Sequence, residues 1–439
     1  MKKNQSIIKK RILLNFLSFL ALIFVGNLNS FANETLTVFQ EPTDFRQYAG
    51  SIEDETTGDP LVFAVLRVSG TNISSITNTE GEFLLKIPKN QKGTQVVVSF
   101  LGYQDKTIQL KDLKEKGNKI ALAPSIIQLS EVDIEIPKDA EALVRKVIDR
   151  RKDNYFDDSM VMTAFYRETI KKRKRNVSLS EAVVNIYKQP YPSPRGDQVS
   201  LYKARKSTDY SRLDTIALKL QGGPFSALFL DVMKYPEYIF TEELLSDYTF
   251  SFERSTQVNN QPVYVIKFGQ RADVTQPRYY GRLYINARTL ALMSAVYKLN
   301  LDNESAVSKW FVKRKPGNVK VMPTQAAYRV DYREKNGKWY YGYSNLQLGF
   351  KVNWKNKLFN SKYTLSSEMA ITDWFLNTDK KFLSGKERLR PTVVLADEAS
   401  GFSDPEFWGE YNVIEPEKSI ESAIKKIQRK IKREEQRSK

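Results

Sequence analysis

The sequence predicts a mainly β protein: a small N-terminal, Ig-like β-sandwich followed by a larger, curved antiparallel sheet with a few helices. Three observations predict this class. Short apolar runs separated by turn residues fill residues 48–122, a pattern typical of β-sandwiches. A second series of strand-like runs extends from residue 160 to residue 374. Helical periodicity occurs only in a few segments of the larger part.

The first 47 residues precede these strands. Residues 1–32 contain five Lys or Arg and no acidic residue, and residues 12–25 are apolar. Ser30 and Ala32 supply the small side chains that a signal peptidase reads. We therefore predict a signal peptide over residues 1–32 and a polar leader over residues 33–47. An uncleaved membrane anchor is the alternative, although an apolar run of about 14 residues is short for a membrane span.

Turn residues punctuate the predicted sandwich, residues 48–123. In the turn at residues 55–60, Gly58 can adopt a positive φ and Pro60 fixes φ before the next strand. From residue 62 to residue 69 a fully apolar set alternates with a mixed set that includes Phe63 and Arg67. Further strands are predicted at residues 83–87, 96–101, 107–110 and 119–122.

A family resemblance is carried by these same residues. The matching pieces are Gly50-x-Ile52, Thr57-Gly58-x-Pro60-Leu61, Ala64-x-Leu66-x-Val68, Gly70-Thr71, Thr77-x-Thr79-x-Gly81-x-Phe83 and Phe100-x-Gly102-Tyr103. They resemble the carboxypeptidase regulatory-domain-like family, whose fold is a small prealbumin-like β-sandwich. The resemblance implies an accessory domain, common at the N-terminus of outer-membrane receptors and surface proteins of Bacteroidetes.

Three acidic residues lie near the turns of this module. Asp54, Asp59 and Glu80 could in principle form a calcium or ligand site. They lack the regular spacing of a metal-binding loop, so purely structural turns are the favoured interpretation.

Composition excludes several kinds of site. The chain has no Cys and no His, which excludes thiol nucleophiles, Ser-His-Asp triads, disulfides and the common zinc sites. The acid pairs Asp397 with Glu398 and Asp404 with Glu406 could act as acid and base, but they lie in turn-like sequence, where acids are usually solvated or cap helices. We predict no cofactor and no metal.

The charge balance indicates the class of partner. With 69 basic and 51 acidic residues the formal net charge is +18. Such a balance favours anionic surfaces such as lipopolysaccharide, phospholipid headgroups or acidic glycans. The export signal argues against nucleic acid as a partner.

The larger domain, predicted over residues 138–439, follows a linker at residues 124–137. Apolar residues at helical spacing predict an amphipathic helix over residues 139–155, packed on the domain rather than lying on a membrane. Further helices are predicted over residues 227–233 and over residues 419–432. The last would cap the open end of the sheet, with an anionic membrane surface as its alternative location.

Strands make up the rest of this domain. They are predicted at residues 160–170, 178–187, 248–254, 262–269, 281–286, 292–299, 309–313, 326–333, 339–350 and 363–374. Asn336-Gly337 predicts a hairpin turn. Tyr328, Val330 and Tyr332 should share one face of its first strand, and Trp339, Tyr341 and Tyr343 one face of its second.

Two weaker resemblances concern the larger domain. Phe165-Tyr166-Arg167-Glu168, with Asn154-Tyr155 before it and residues 181–188 after it, is similar to a region found beside the regulatory module in uncharacterised Bacteroidetes envelope proteins. The hairpin at residues 281–296 resembles the strand pattern of lipoprotein-carrier (LolA/LolB-like) half-barrels. That second resemblance implies an open curved sheet able to hold an apolar ligand.

These observations lead to a functional expectation. We expect a non-catalytic cell-envelope protein, in the periplasm or associated with the outer membrane, that binds a lipidic or anionic ligand or a partner through its curved sheet. Arg282, Arg329 and Arg333 are candidates for a headgroup at the rim, and Tyr341 and Tyr343 for the ring-lined cleft. A structural or assembly scaffold that docks on an outer-membrane receptor is the alternative, and a hydrolase of unfamiliar type is the third hypothesis.

Overall fold

The computed structural model describes residues 44–91, 93–125, 138–173, 175–208, 221–253, 256–258, 261–312, 317–355, 359–399 and 407–416. The predicted signal peptide, nearly all of the predicted leader and linker, the pair Asp404 with Glu406 and the helix predicted at residues 419–432 lie outside these ranges.

The N-terminal module is a sandwich of two small sheets. Its strands are β1 (Phe45–Asp54), β2 (Val65–Val68), β3 (Ser74–Ile76), β4 (Glu82–Pro88), β5 (Gln95–Ser99), β6 (Lys106–Gln109) and β7 (Asn118–Leu122). One sheet has the order β4-β1-β7 and the other β3-β2-β5-β6. Alternate residues such as Ile52, Leu66 and Leu85 face inward and are fully buried, so the module has its own core.

The larger sheet has eleven described strands. They are β8 (Met160–Lys172), β9 (Arg175–Lys188), β10 (Gln198–Thr208), β11 (Tyr248–Phe252), β12 (Thr256–Val258), β13 (Gln261–Gln270), β14 (Tyr279–Asn286), β15 (Leu292–Leu299), β16 (Val319–Lys335), β17 (Lys338–Trp354) and β18 (Ser361–Leu376). The order is β10-β9-β8-β18-β17-β16-β15-β14-β13-β11, with β12 also paired to β13. All its described pairings are antiparallel. The predicted fold class is confirmed.

Short helices connect or cover the strands of the larger domain. They are α1 (Ala140–Asp149), α2 (Arg151–Asn154), α3 (Pro224–Leu228), α4 (Glu242–Leu245), α5 (Glu304–Phe311) and α6 (Leu395–Glu398). Asp139 caps α1 by accepting a hydrogen bond from the Ala142 N–H at 3.0 Å. The predicted helix over residues 139–155 is therefore confirmed as a packed helix, although it is interrupted at Arg150.

One strand prediction is wrong. Residues 309–311 belong to α5, not to a strand. Asn303 starts this helix by accepting a hydrogen bond from the Ala306 N–H at 3.2 Å, and Val307 is its buried residue. An N-cap asparagine followed by a buried position on the next turn outweighs the strand propensity of the apolar residues 310–312.

The two faces of the larger sheet have different cover. On the face that we call inner, α1, α3 and the chain from residue 221 to residue 245 pack into one large apolar core. On the opposite, outer face lie the sandwich and residues 407–416, and Phe165, Tyr343, Trp408 and Ile76 share a second cluster there. The outer face therefore holds the junction between the two domains.

Candidate functional site

A β-bulge at Gly342 decides which residues of β17 reach the junction. Tyr332 pairs with Tyr341 and Asp331 pairs with Tyr343, so Gly342 is an extra residue. An extra residue reverses the alternation of the side chains that follow it. Tyr341 packs in the inner core, whereas Tyr343 lies on the outer face with its ring centroid 4.9 Å from that of Phe63.

The prediction that Trp339, Tyr341 and Tyr343 share one face is therefore wrong for Tyr343. The bulge is a register feature between two strands, which alternation within one strand does not reveal. The companion prediction for Tyr328, Val330 and Tyr332 is confirmed, because all three pack against the inner core.

The opposite positions of β16 meet the sandwich. Arg333 donates from Nη1 to Ser74 Oγ at 2.6 Å and to the Ile371 carbonyl at 2.9 Å. Arg67 of the sandwich donates to the Glu334 carbonyl at 3.3 Å. These hydrogen bonds join the two domains, and they bring Arg67 and Arg333 to the same place.

A cavity of about 150 Å³ lies at this junction. Its charged lining consists of the guanidiniums of Arg67, Arg329 and Arg333 and the carboxylates of Asp105, Asp331 and Glu334. The rings of Phe63, Phe100, Trp339 and Tyr343 supply much of the rest. The cavity is large enough for a small polar group.

The three guanidiniums differ in their partners. Arg329 is paired with Asp331, Nε to Oδ2 at 2.8 Å, and lies 5.7 Å from the ring centroid of Phe63. Arg333 has no carboxylate partner among the described residues, and its Nη2 is buried without a hydrogen-bond acceptor. Burial lowers the pKa of Arg333; Tyr340 and the carboxylate of Asp331 oppose that shift, and repulsion from Arg67 adds to it. A buried donor on a cation without an acceptor lowers the stability of the folded protein.

One acid at the cavity has an altered pKa. Partial desolvation raises the pKa of Asp105 to about 6, and Arg67 opposes that rise. The negative charge at the sandwich side of the cavity therefore decreases as the pH falls below neutral.

The predicted binding residues separate into two groups. Arg329, Arg333 and Tyr343 line the junction cavity together. Arg282 is outside it, 54% exposed at its side chain and bonded to Glu253 at 2.5 Å. Tyr341 is in the inner core, where its hydroxyl lies 2.6 Å from Ser344 Oγ.

Sequence reasoning missed the sandwich residues of this site. Phe63, Arg67 and Asp105 approach the sheet only because the two domains dock. One signal was present: residues 63, 65 and 67 form the mixed face of the alternating run, and a mixed face on a small sandwich can mark an interface.

The inner face, where an apolar ligand was expected, is filled by the chain's own side chains in the described ranges. The rings of Tyr155, Tyr166, Tyr191 and Tyr341 are all essentially inaccessible. Among them lies Lys188, whose Nζ is 2.8 Å from Asp197 Oδ2 and 2.6 Å from Asp231 Oδ2. This face is a packed core with a buried ionic cluster, and its side chains stabilise the fold.

The Phe165-Tyr166-Arg167-Glu168 run contributes alternately to both faces. Arg167 bonds to Glu181 at 2.7 Å and to the Ile414 carbonyl at 2.6 Å on the outer face. Glu168 lies on the inner face, where its Oε1 accepts from the Tyr166 hydroxyl at 2.8 Å, and burial raises its pKa to about 8. The run therefore anchors the C-terminal segment on one side and the core on the other.

The remaining acidic candidates either stabilise a turn or are exposed to solvent. Asp54 accepts the N–H groups of Thr56 and Thr57 at 2.7 and 2.9 Å, and the Tyr103 hydroxyl lowers its pKa. Asp397 and Glu398 are exposed on α6. No group of acidic residues suited to a metal ion occurs in the parts of the chain that the structure describes.

Comparison with known proteins supplies one family match. Residues 48–134 match the CarboxypepD_reg-like domain family. The match covers the described sandwich and confirms the resemblance predicted for it. No curated protein sequence matches the chain.

Solved structures give only distant likenesses. A domain from Vibrio parahaemolyticus named for outer membrane lipoprotein sorting shares 10% identity and a TM-score of 0.23, over 56% of this chain and 94% of that one. A DUF1329 family protein from Desulfovibrio piger shares 12% identity and a TM-score of 0.23, over 56% and 96%. Lipovitellin shares 8% identity and a TM-score of 0.26, over 53% and 27%. TM-scores of this size are too low to establish a shared fold, so function has to be inferred from this chain's own contacts.

The longest helix in the described ranges, α1, has 10 residues. None of the described helices is both long and apolar enough to cross a bilayer.

Proposed function

We propose that this chain is an exported, non-catalytic envelope protein that binds an anionic group, a phosphate or a carboxylate, in the cavity between its sandwich and its larger sheet. The observation that carries the proposal is Arg333, a guanidinium at the cavity wall with a buried, unpartnered Nη2 and no carboxylate partner in the described residues. A planar guanidinium is suited to paired hydrogen bonds with either group.

Three further features support an envelope ligand. The net charge of +18 favours anionic partners. The N-terminal sequence has the pattern of an export signal, and the absence of His and Cys removes the commonest catalytic groups. The size of the cavity favours the terminal phosphate or carboxylate of an envelope lipid or acidic glycan, with the remainder of the ligand outside.

The proposal links ligand binding to domain docking. Arg67 comes from the sandwich, and Arg329 and Arg333 come from the sheet. An anion among them would reduce their mutual repulsion and would strengthen the junction.

The test uses isothermal titration of mature protein with inorganic phosphate and, separately, with glucuronate. Arg333→Met should weaken binding of the preferred anion at least tenfold, since it removes the buried guanidinium whose Nη2 has no hydrogen-bond acceptor. Arg282→Met removes an exposed arginine paired with Glu253, and should change affinity less than about twofold. Thermal melting of both variants checks that each is folded.

A structural scaffold is the second candidate, because the inner face of the sheet is filled by the chain's own core. If neither anion binds saturably, or if Arg333→Met binds as the unmodified protein does, the anion-binding proposal fails. Copurification of an outer-membrane receptor with the intact protein would then support the scaffold.

A further inference from the structure

Exposed apolar side chains are concentrated at one end of β18. Phe375, Leu376 and Phe382 are 60%, 44% and 45% exposed, and they fall within eight consecutive positions. Scattered exposed apolar residues are normal on protein surfaces, but a local group indicates an interaction surface. We call these three residues, with Lys380 and Lys381 between them, the β18 patch.

The chain that carries the patch is held in a defined turn. Asn377 Oδ1 accepts from the Lys381 N–H and Asn377 Nδ2 donates to the Lys381 carbonyl, both at 3.0 Å. The Asn377 N–H bonds to the Ser159 carbonyl at 2.8 Å, and the Leu383 N–H bonds to Gln198 Oε1 at 2.8 Å. The turn is therefore fixed to β10 and to the start of β8. Phe375 lies on β18 and Phe382 on this fixed turn, so ordering the two rings on binding has a small entropic cost.

The surroundings of the patch are basic. Residues 375–390 contain five basic residues (Lys380, Lys381, Lys386, Arg388, Arg390) and two acidic residues (Asp379, Glu387), a balance of five minus two, or +3. All five basic residues are exposed. Arg195 lies 5.8 Å from the ring centroid of Phe382, while Asp158 and Asp373 lie on adjoining segments. With Arg195, Asp158 and Asp373 included, the charge balance is three plus one minus two, or +2.

We propose that the β18 patch docks the protein on the surface of an anionic lipid bilayer. Exposed aromatic and aliphatic side chains at the end of β18 and in the turn after it, with two lysines in that turn, match the two attractions of a bilayer surface: partial burial of rings at the interface and the negative potential of the headgroups. A protein partner would more commonly meet an aromatic-rich patch that is depleted in Lys at its centre. Lys380 and Lys381 between the rings therefore favour lipid.

Vesicle sedimentation of the mature full-length protein tests this inference. Vesicles of phosphatidylcholine containing phosphatidylglycerol should bind the protein more tightly than phosphatidylcholine alone, and salt should weaken that binding. Phe375→Ser with Phe382→Ser should reduce binding at least tenfold. Lys380→Ser with Lys381→Ser should reduce it about fivefold for each lysine on the anionic vesicles only.

A matched control is available at the other end of the same strand. Phe359, 78% exposed just before β18, is changed to Ser and should leave binding unchanged. The double Phe variant should bind the preferred anion of the titration as the unmodified protein does, which separates this surface from the junction cavity. The inference is overturned if the protein does not sediment with either vesicle, or if the double Phe variant binds as Phe359→Ser does. It is equally overturned if analytical ultracentrifugation shows a dimer that the double Phe variant abolishes, because the patch would then be a contact between copies of this chain.

Discussion

Replacement of Lys188 by Met tests the ionic cluster inside the larger domain. Lys188, Asp197 and Asp231 are all inaccessible to solvent, and the ammonium bonds both carboxylates. It also lies 5.0 Å from the ring centroid of Tyr191. Burial opposes the charge on Lys188, but the two carboxylates outweigh burial and raise its pKa above the ordinary value. The lysine thus connects β9 to the segment that covers the inner face.

The magnitude follows from these contacts. Each charged hydrogen bond contributes about 1.5–3 kcal/mol, and removal of one member of a buried ion pair costs about 3–5 kcal/mol. Lys188→Met leaves two buried carboxylates without their cation, so we expect the free energy of unfolding to fall by about 3–5 kcal/mol. Urea denaturation followed by circular dichroism measures this loss. Lys298→Met, at an exposed position of β15, is the control and should change stability by less than about 0.5 kcal/mol.

The pH dependence of the variant distinguishes an electrostatic loss from a packing defect. Without Lys188 the buried carboxylates should have raised pKa values in the folded state. A raised folded-state pKa means that the folded protein binds more protons, so the variant should regain stability as the pH falls toward 5. Addition of Asp231→Asn should restore part of the loss, because the effects of contacting residues are not additive. A loss below about 1 kcal/mol, or one independent of pH, would refute this reasoning.

Three further predictions concern other parts of the molecule. A Cβ at Gly342 would lie 2.7 Å from Arg333 Cγ, so Gly342→Ala should lower the free energy of unfolding by about 1–3 kcal/mol. The same change should weaken anion binding in the isothermal titration. Unchanged affinity would contradict the role given to the bulge. Burial raises the pKa of Glu168 from 4.5 to about 8, so its contribution to stability is complete below about pH 4.5 and is lost as the pH rises through 8, with a slope of at most about 1.4 kcal/mol per pH unit. Glu168→Gln should flatten this pH dependence of the free energy of unfolding, measured by urea denaturation. An unaltered slope would show that another group causes the dependence. Residues 44–125 expressed alone should melt cooperatively, since their core is complete. They should melt at a lower temperature than in the whole chain, because Ile76 loses its contacts with the larger domain. An NMR spectrum without dispersed amide signals would rule out independent folding.

The sequence by itself determined the sandwich and most of the local elements, although it predicted a strand where α5 lies and did not predict β10. Alternating apolar residues and turn glycines specify strands through contacts between near neighbours. The family's residues identified the module at residues 48–123, and the family match over residues 48–134 confirms the resemblance. Asn336 and Gly337 both adopt positive φ, 53° and 78°, between β16 and β17, as their chemistry predicts. The cap at Asp139 and the apolar stripe that follows it likewise predict α1 from within a single segment.

Only the tertiary structure decided which side chains meet at the junction. The bulge at Gly342 sends Tyr343 to the outer face, and strand pairing rather than sequence pattern sets that register. Arg67 and Glu334 are 267 positions apart in the chain, yet they are bonded across the docked domains. The cavity around Arg333 arises because two surfaces separated by long stretches of chain come together, and the shape and burial of that contact have no counterpart in local periodicity.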